Sequence, residues 1–185
     1  MTPVGHSLVG LSIGVLCMPQ GQSPRTRTAF LVGFVFLANV PDFPIPGWGH
    51  YRYHISHSLF VDGAMIVAAA VLLRRCRRTR PTLGSIPVLL GGAAAWLSHL
   101  LLDSLYSHGR GLAVFWPFST ARLTLPVPWL HNLYASPPPL DEHTVRVCLV
   151  EAACFLPLVL LAVAWKMGLR RGSHRGDKRP GHPGA

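Results

Sequence analysis

Residues 87–106, PVLLGGAAAWLSHLLLDSLY, run for twenty residues with only two side chains that ionise near neutral pH, His99 and Asp103. About twenty apolar residues is the length an α-helix needs to cross the hydrocarbon core of a bilayer. On such a helix, His99 and Asp103 lie four apart and share one face, with Leu100, Leu101 and Leu102 turned elsewhere. An ionisable pair inside an apolar span is costly unless it is partnered, so it reads as functional. The structural alternative is a His–Asp hydrogen bond that joins helices.

Four more apolar segments extend the pattern. Residues 4–18 end at Pro19-Gln20-Gly21, and residues 28–40 stop at Pro41-Asp42. Residues 57–73 follow, and residues 144–167 form the longest run, with Pro157 placed to kink it. The first two are short for a full crossing. The expected fold is therefore all-α: a polytopic membrane helical bundle of about five spans, the first two short. It occupies residues 1–168 as one domain. Residues 169–185, rich in Gly, Pro, Arg and His, are expected to be a disordered basic cytoplasmic tail. Gly5, Gly10, Gly14 and Gly33 suit close helix contacts. Residues 107–143 form a long outer loop rich in proline and aromatics, whose Trp116, Trp129 and Tyr134 suit the headgroup boundary.

Composition supports a membrane setting. Half the residues are hydrophobic and 13% are charged, against about a quarter charged in soluble domains. Mean hydropathy is +0.36. The net charge of +10 does not indicate nucleic acid, because the basic residues cluster beside apolar runs, where they set orientation and meet anionic headgroups. Cys17, Cys76, Cys148 and Cys154 contain no C-x-x-C pair, so neither a disulfide framework nor a zinc ribbon is expected. No signal peptide is expected either, since a basic n-region is missing and His6 interrupts the first apolar run.

Thirteen of the seventeen Lys and Arg fall on one side if the segments alternate: Arg25, Arg27, the cluster between Arg74 and Arg80, and the residues from Lys166 to Arg179. Arg52, Arg110, Arg122 and Arg146 fall on the other. The positive-inside rule then puts the C-terminus in the cytoplasm of a multi-pass inner (cell) membrane protein. His6, Asp42, His50, His54, His57, Asp103 and His108 all gather at the outer face, with His99 one turn deeper. Arg and Lys alone fix this topology, so its collecting of His and Asp is an independent signal.

His54 and His57 are three apart and face the same way if the helix begins early enough. Neutral imidazole is a common zinc ligand. Asp42 sits in a Pro-Asp turn, and His6 lies in the first turn of its segment. Asp62 is a possible partner for an imidazole N–H or a polar helix contact. Glu151 has no evident mate, and no nucleophile motif such as G-x-S-x-G is present.

His6, Pro41-Asp42, Ser56-His57-Ser58-Leu59 and His99-x-x-x-Asp103, followed by Gly109 and Trp116-Pro117-Phe118-Ser119, resemble the YdjM-like family of membrane-bound metal-dependent hydrolases. The resemblance runs from His6 to about Pro126, and its specificity lies in the order and spacing of short motifs. It implies His6, Asp42, His57, His99 and Asp103 as the polar set. Two departures stand out. Where the family has P-D-x-D, this chain has Pro41-Asp42-Phe43-Pro44. Where the family has H-R-G-x-T-H-S, this chain has Arg52-Tyr53-His54-Ile55-Ser56-His57-Ser58, with His54 or His50 as substitutes for the first histidine. Both departures tell against a two-metal site.

The expected function is hydrolysis of a lipid or lipid-linked ester or phosphoester at the outer face. A divalent metal, zinc by preference, is expected on His57, His99, Asp103 and one of His6, Asp42 or His54, with Asp42 as general base if it is not a ligand. Membrane lipid is the expected partner. The alternative is a non-catalytic integral membrane protein whose His/Asp cluster is structural. A proton or ion relay would need polar groups at successive depths, whereas most of these sit at one face.

Overall fold

Side-chain caps start four of the five long helices; Ser85, before the helix Ile86–Ser104, makes no capping hydrogen bond. Thr2 accepts from Val4 N and Pro3 follows it, opening α1 (Pro3–Cys17); Ser23 accepts from Thr26 N before Pro24, opening α2 (Pro24–Asn39). Both starts combine an oxygen for an orphan N–H with a proline preset for the first turn. A short α3 (Tyr53–Ser56) precedes α4 (Leu59–Arg75), which Ser58 caps through Val61 N. The chain then forms α5 (Ile86–Ser104) and α6 (Glu142–Gly176), where Asp141 Oδ1 accepts from Thr144 N at 2.8 Å. The computed structural model describes residues 2–78, 82–106, 111–125, 127–131 and 141–176. Among these residues there is no β-strand, only two isolated bridges. The expected all-helical fold is present.

Two helices have the length and apolarity to cross a membrane: Ile86–Ser104, with 19 residues, and Glu142–Leu169, with 28. α1, α2 and α4 have 15, 16 and 17 residues, short of the ~20 needed for an independent crossing. The helix start at Leu59 rather than 57 shortens the third segment, because Ser58 caps the chain there. At the other end α6 passes through Pro157 and continues to Gly176, beyond the boundary expected at residue 168. Leu and Arg after Gly168 are good helix formers, and propagation adds one hydrogen bond per residue fixed. Residues 177–185 of the expected tail lie outside the described residues, as do His108, Gly109, Arg110, Pro126 and Tyr134.

α1 packs against α2, α5 and α6, while α5 also carries α2 and α4. Small residues permit the α1–α2 approach: a Cβ on Gly10 would lie 2.7 Å from both Ala38 Cβ and the Phe34 carbonyl oxygen. A Cβ on Gly14 would meet Phe34 at 3.0 Å, and one on Gly91 would lie 2.3 Å from Cys17 Sγ. Gly33 differs from its expected role, since nothing lies within 4 Å of its Cβ position. It faces an apolar groove instead.

α6 holds α1 at both ends. Glu151 accepts from Thr2 N and Gly5 N, each at 2.9 Å, and from the Thr2 hydroxyl. Tyr106 OH also donates to it at 2.9 Å. At the opposite end Lys166 Nζ donates to Leu16 O at 2.6 Å. A carboxylate at the N-terminus and an ammonium at the C-terminus both complement the helix macrodipole. Glu151, without a mate in the sequence, is the acid that satisfies the orphan N–H groups of α1.

The segment after α5 folds back over its C-terminus. Leu125 N donates to Ser104 O at 2.6 Å and Val127 N to Leu105 O at 2.7 Å. Leu112 and Val114 bury against Leu100, with Tyr53 and Leu97 alongside. Residues 111–125 and 127–131 therefore cover the ends of α3, α4 and α5.

Candidate metal centre

Four separate pieces of chain deliver the polar side chains to one end of the bundle. His6 comes from the first turns of α1, and Asp42 from a short 3-10 turn, Val40–Asp42, that follows α2. His57 occupies the junction between α3 and α4, and His99 and Asp103 lie on α5. His6, His57 and His99 are completely buried. The Asp103 side chain is 4% exposed and that of Asp42 20%, so Asp42 is the cluster's window to solvent. Arg25, Arg27 and Arg74 lie at the opposite ends of α2 and α4.

The backbone sets the imidazoles. His99 Nδ1 lies 2.8 Å from Ala38 O, and His57 Nδ1 lies 3.1 Å from Tyr53 O and 2.8 Å from Ser56 Oγ. A carbonyl only accepts, so each Nδ1 carries a proton; in the neutral ring each Nε2 is then a bare lone pair. Those two Nε2 atoms lie 3.2 Å apart. Asp103 Oδ2 is 3.2 Å from His57 Nε2 and 3.5 Å from His99 Nε2. Asp42 Oδ1 is 3.4 Å and 3.6 Å from the same two atoms. Lone pairs and carboxylate oxygens thus converge on one point.

Its dimensions are those of a metal site. Four ligands about 2.0–2.1 Å from a central ion at tetrahedral angles are about 3.3 Å from each other. The five separations above span 3.2 to 3.6 Å.

His6 extends the cluster on its other side. Its ring stacks on that of His99 with centroids 3.7 Å apart, and its Nε2 is 3.2 Å from Asp103 Oδ1. Neither His6 nitrogen completes a hydrogen bond. Ligand atoms of His6, Asp42, His99 and Asp103 all fall within 4.8 Å of one another. Asp103 therefore turns one oxygen to the tetrahedral set and the other to His6.

Among the described candidate ligands, His54 stands outside this gathering. The helix breaks at His57, where φ is −118° and ψ 29°, so His54 and His57 do not share a continuous helical face. The exposed His54 ring packs edge-on against Trp116, with centroids 5.3 Å apart. Tyr53 is the residue the sequence reading missed. Its ring stacks on His57 at 3.7 Å, and its hydroxyl donates to Asp103 Oδ2 at 2.9 Å. Burial, and then the adjacent Asp103 carboxylate, push the Tyr53 phenol well above its ordinary range, so it remains a donor. Its position four before His57 was the available signal. Asp62 is completely buried on α4, and neither of its oxygens completes a hydrogen bond.

Neither a curated protein nor a solved structure matches the chain. A family does. The sequence model described as YdjM inner membrane protein matches residues 1–169, a span that contains all five converging His and Asp residues and all but the end of α6. By that match over most of its length, the chain belongs to the YdjM inner membrane protein family.

Proposed function

We propose that this protein is a membrane-embedded, metal-dependent hydrolase. In this reading it acts on a lipid or lipid-linked ester or phosphoester at the outer face of the membrane. One observation carries the reading: two imidazole lone pairs and two carboxylates face each other across 3.2–3.6 Å, the edge lengths of a tetrahedral site. Such a set is electrostatically unfavourable without a cation between its members. Nitrogen and oxygen donors in this geometry favour zinc.

His57, His99 and Asp103 are the buried holders. A divalent ion there would act as a Lewis acid and lower the pKa of water from about 15.7 towards about 7. Asp42, the one member open to solvent, takes the proton from the attacking water if it leaves the ligand set. Tyr53 fixes Asp103 by its hydrogen bond, and the Ala38 and Tyr53 carbonyls hold the two imidazoles in the ligating tautomer. His6 supports Asp103 from behind.

In the membrane, all five long helices cross, with α1, α2 and α4 tilted or sheltered by neighbours. The Arg-rich ends and the C-terminus face the cytoplasm, and the His/Asp centre faces out. Glu151 is fully engaged by α1 and Tyr106, which removes it from any proton relay. The competing reading is a closed, non-catalytic metal site that only ties helices together, as four protein ligands do in structural zinc sites. The exposure of Asp42 favours catalysis.

Elemental analysis of the detergent-purified chain is expected to find about one divalent ion, lost in His99→Ala. A folded, metal-free wild-type protein would exclude the hydrolase. Metal without turnover of any lipid ester or phosphoester would favour the structural reading.

A further inference from the structure

The apolar groove faced by Gly33 runs between α2 and α4, with α5 as its floor. Gly33 and Leu37 form one wall, Ile66 and Ala69 the other, and Gly92 and Trp96 the base. It encloses about 300 Å³, within the range of small-molecule sites. Among the described residues no Cα atom of α2 lies within 8 Å of one on α4, so the groove opens sideways between them, towards the bilayer in the proposed arrangement.

Each helix that lines it continues into the polar centre. On α5, Trp96 is followed one turn later by His99, then by Asp103. On α4, Ile66 is one turn from Asp62, which lies five residues after His57. On α2, Leu37 leads to Ala38, whose carbonyl holds His99, and to Asp42. The α5 floor from Val88 to Trp96 is eight residues, or about 12 Å, and His99 lies about 4.5 Å further along the axis. Together these approach the ~15 Å depth of one leaflet, half a ~30 Å hydrocarbon core.

A second feature marks the site end of the groove. Trp96 is 7% exposed, lines the groove, and its indole N–H completes no hydrogen bond. The acceptor it faces is the buried Asp62 carboxylate of α4, which joins α5 to α4 at that end.

We propose that this groove holds one acyl chain of a membrane lipid whose ester or phosphoester head reaches the His/Asp centre. Identification of that lipid as substrate rests on the hydrolase reading; occupancy of the groove by a chain does not. The substrate class is thereby narrowed to lipids presented from one leaflet, with the chain anchoring the head at a fixed depth.

The test uses the full chain in phosphatidylcholine vesicles doped with a phospholipid that carries a diazirine on its acyl chain. After irradiation, labelled positions are mapped by mass spectrometry. Labelling of residues 33–37 and 66–70 is expected to exceed that of Leu160 and Leu161, exposed on α6, by several-fold. Gly33→Leu should reduce it several-fold with metal content unchanged, because no atom lies within 4 Å of the added Cβ. Ala69→Leu blocks the opposite wall and serves if the first variant folds poorly. Equal labelling of groove and α6, or labelling indifferent to both variants, would overturn the proposal. Metal measured on the same samples judges the hydrolase separately: groove labelling without metal keeps the chain site and removes the enzyme, and metal without groove labelling does the reverse.

Discussion

Glu151 and Asp103 are both acids buried at the same end of the bundle, yet their surroundings differ in kind. Glu151 receives four donors: the Thr2 and Gly5 N–H groups and the hydroxyls of Thr2 and Tyr106. Asp103 receives the Tyr53 hydroxyl and otherwise faces the Nε2 atoms of His6, His57 and His99 at 3.2–3.5 Å. The nitrogens of His57 and His99 have their protons committed on the far side of the ring. One cluster is closed by hydrogen bonds and is a helix joint. The other, in the proposed reading, is completed by a cation. Under that reading buried polar groups can be sorted by their neighbours: an acid surrounded by donors serves stability, and acids facing ring nitrogens serve binding.

Substitutions should separate the two clusters. The largest effect is expected for Asp103→Ala, with bound metal falling from about one per chain to near zero and turnover to background; elemental analysis and an esterase or phosphoesterase assay read it. Persistence of full metal content would erase the distinction between the clusters. Glu151→Leu should do the converse. It leaves at least three buried donors unmatched at about 1–3 kcal/mol each, so stability should fall by at least about 3 kcal/mol in chemical denaturation while the folded fraction keeps its metal. Chelation comes next. A metal present at about 100 times its Kd contributes about 2.7 kcal/mol, so EDTA should lower wild-type stability by that order and leave Asp103→Ala unmoved. Lys166→Met, which removes the exposed ammonium and its hydrogen bond to Leu16 O at the far end of α1, should cost about 0.3–1 kcal/mol without altering metal content; a larger loss would mean that the α6–α1 contact depends on that end.

Much of this was legible in the chain. The apolar runs at 4–18, 28–40 and 87–106 lie within a few residues of α1, α2 and α5 apart from the earlier start of α2 at Pro24, because composition and proline dictate them. Alternation of the segments and charge placement gathered His6, Asp42, His57, His99 and Asp103 at one face together with His50, His54 and His108, and the family resemblance picked out the five. His54 went astray because the i, i+3 argument assumes an unbroken helix, and the chain breaks at His57 so that Ser58 can cap α4. Gly33 misled for a related reason, since a small residue permits a close contact but does not require one. The Ala38 carbonyl that orients His99, and the partnership of Glu151 with Thr2, join residues 61 and 149 positions apart. No local pattern encodes such a pairing.

Glu151 and Lys166 lie fifteen residues apart on α6, and α1 is itself 15 residues long. The two contacts therefore act as the jaws of a caliper, fixing how far α1 is inserted and how it is rotated. Sliding α1 by a single residue would shift it about 1.5 Å and swing it through about 100°, taking His6 off the face of His99. Among the described residues α6 lends no side chain to the converging histidines and aspartates, yet it is the gauge that sets His6 in place.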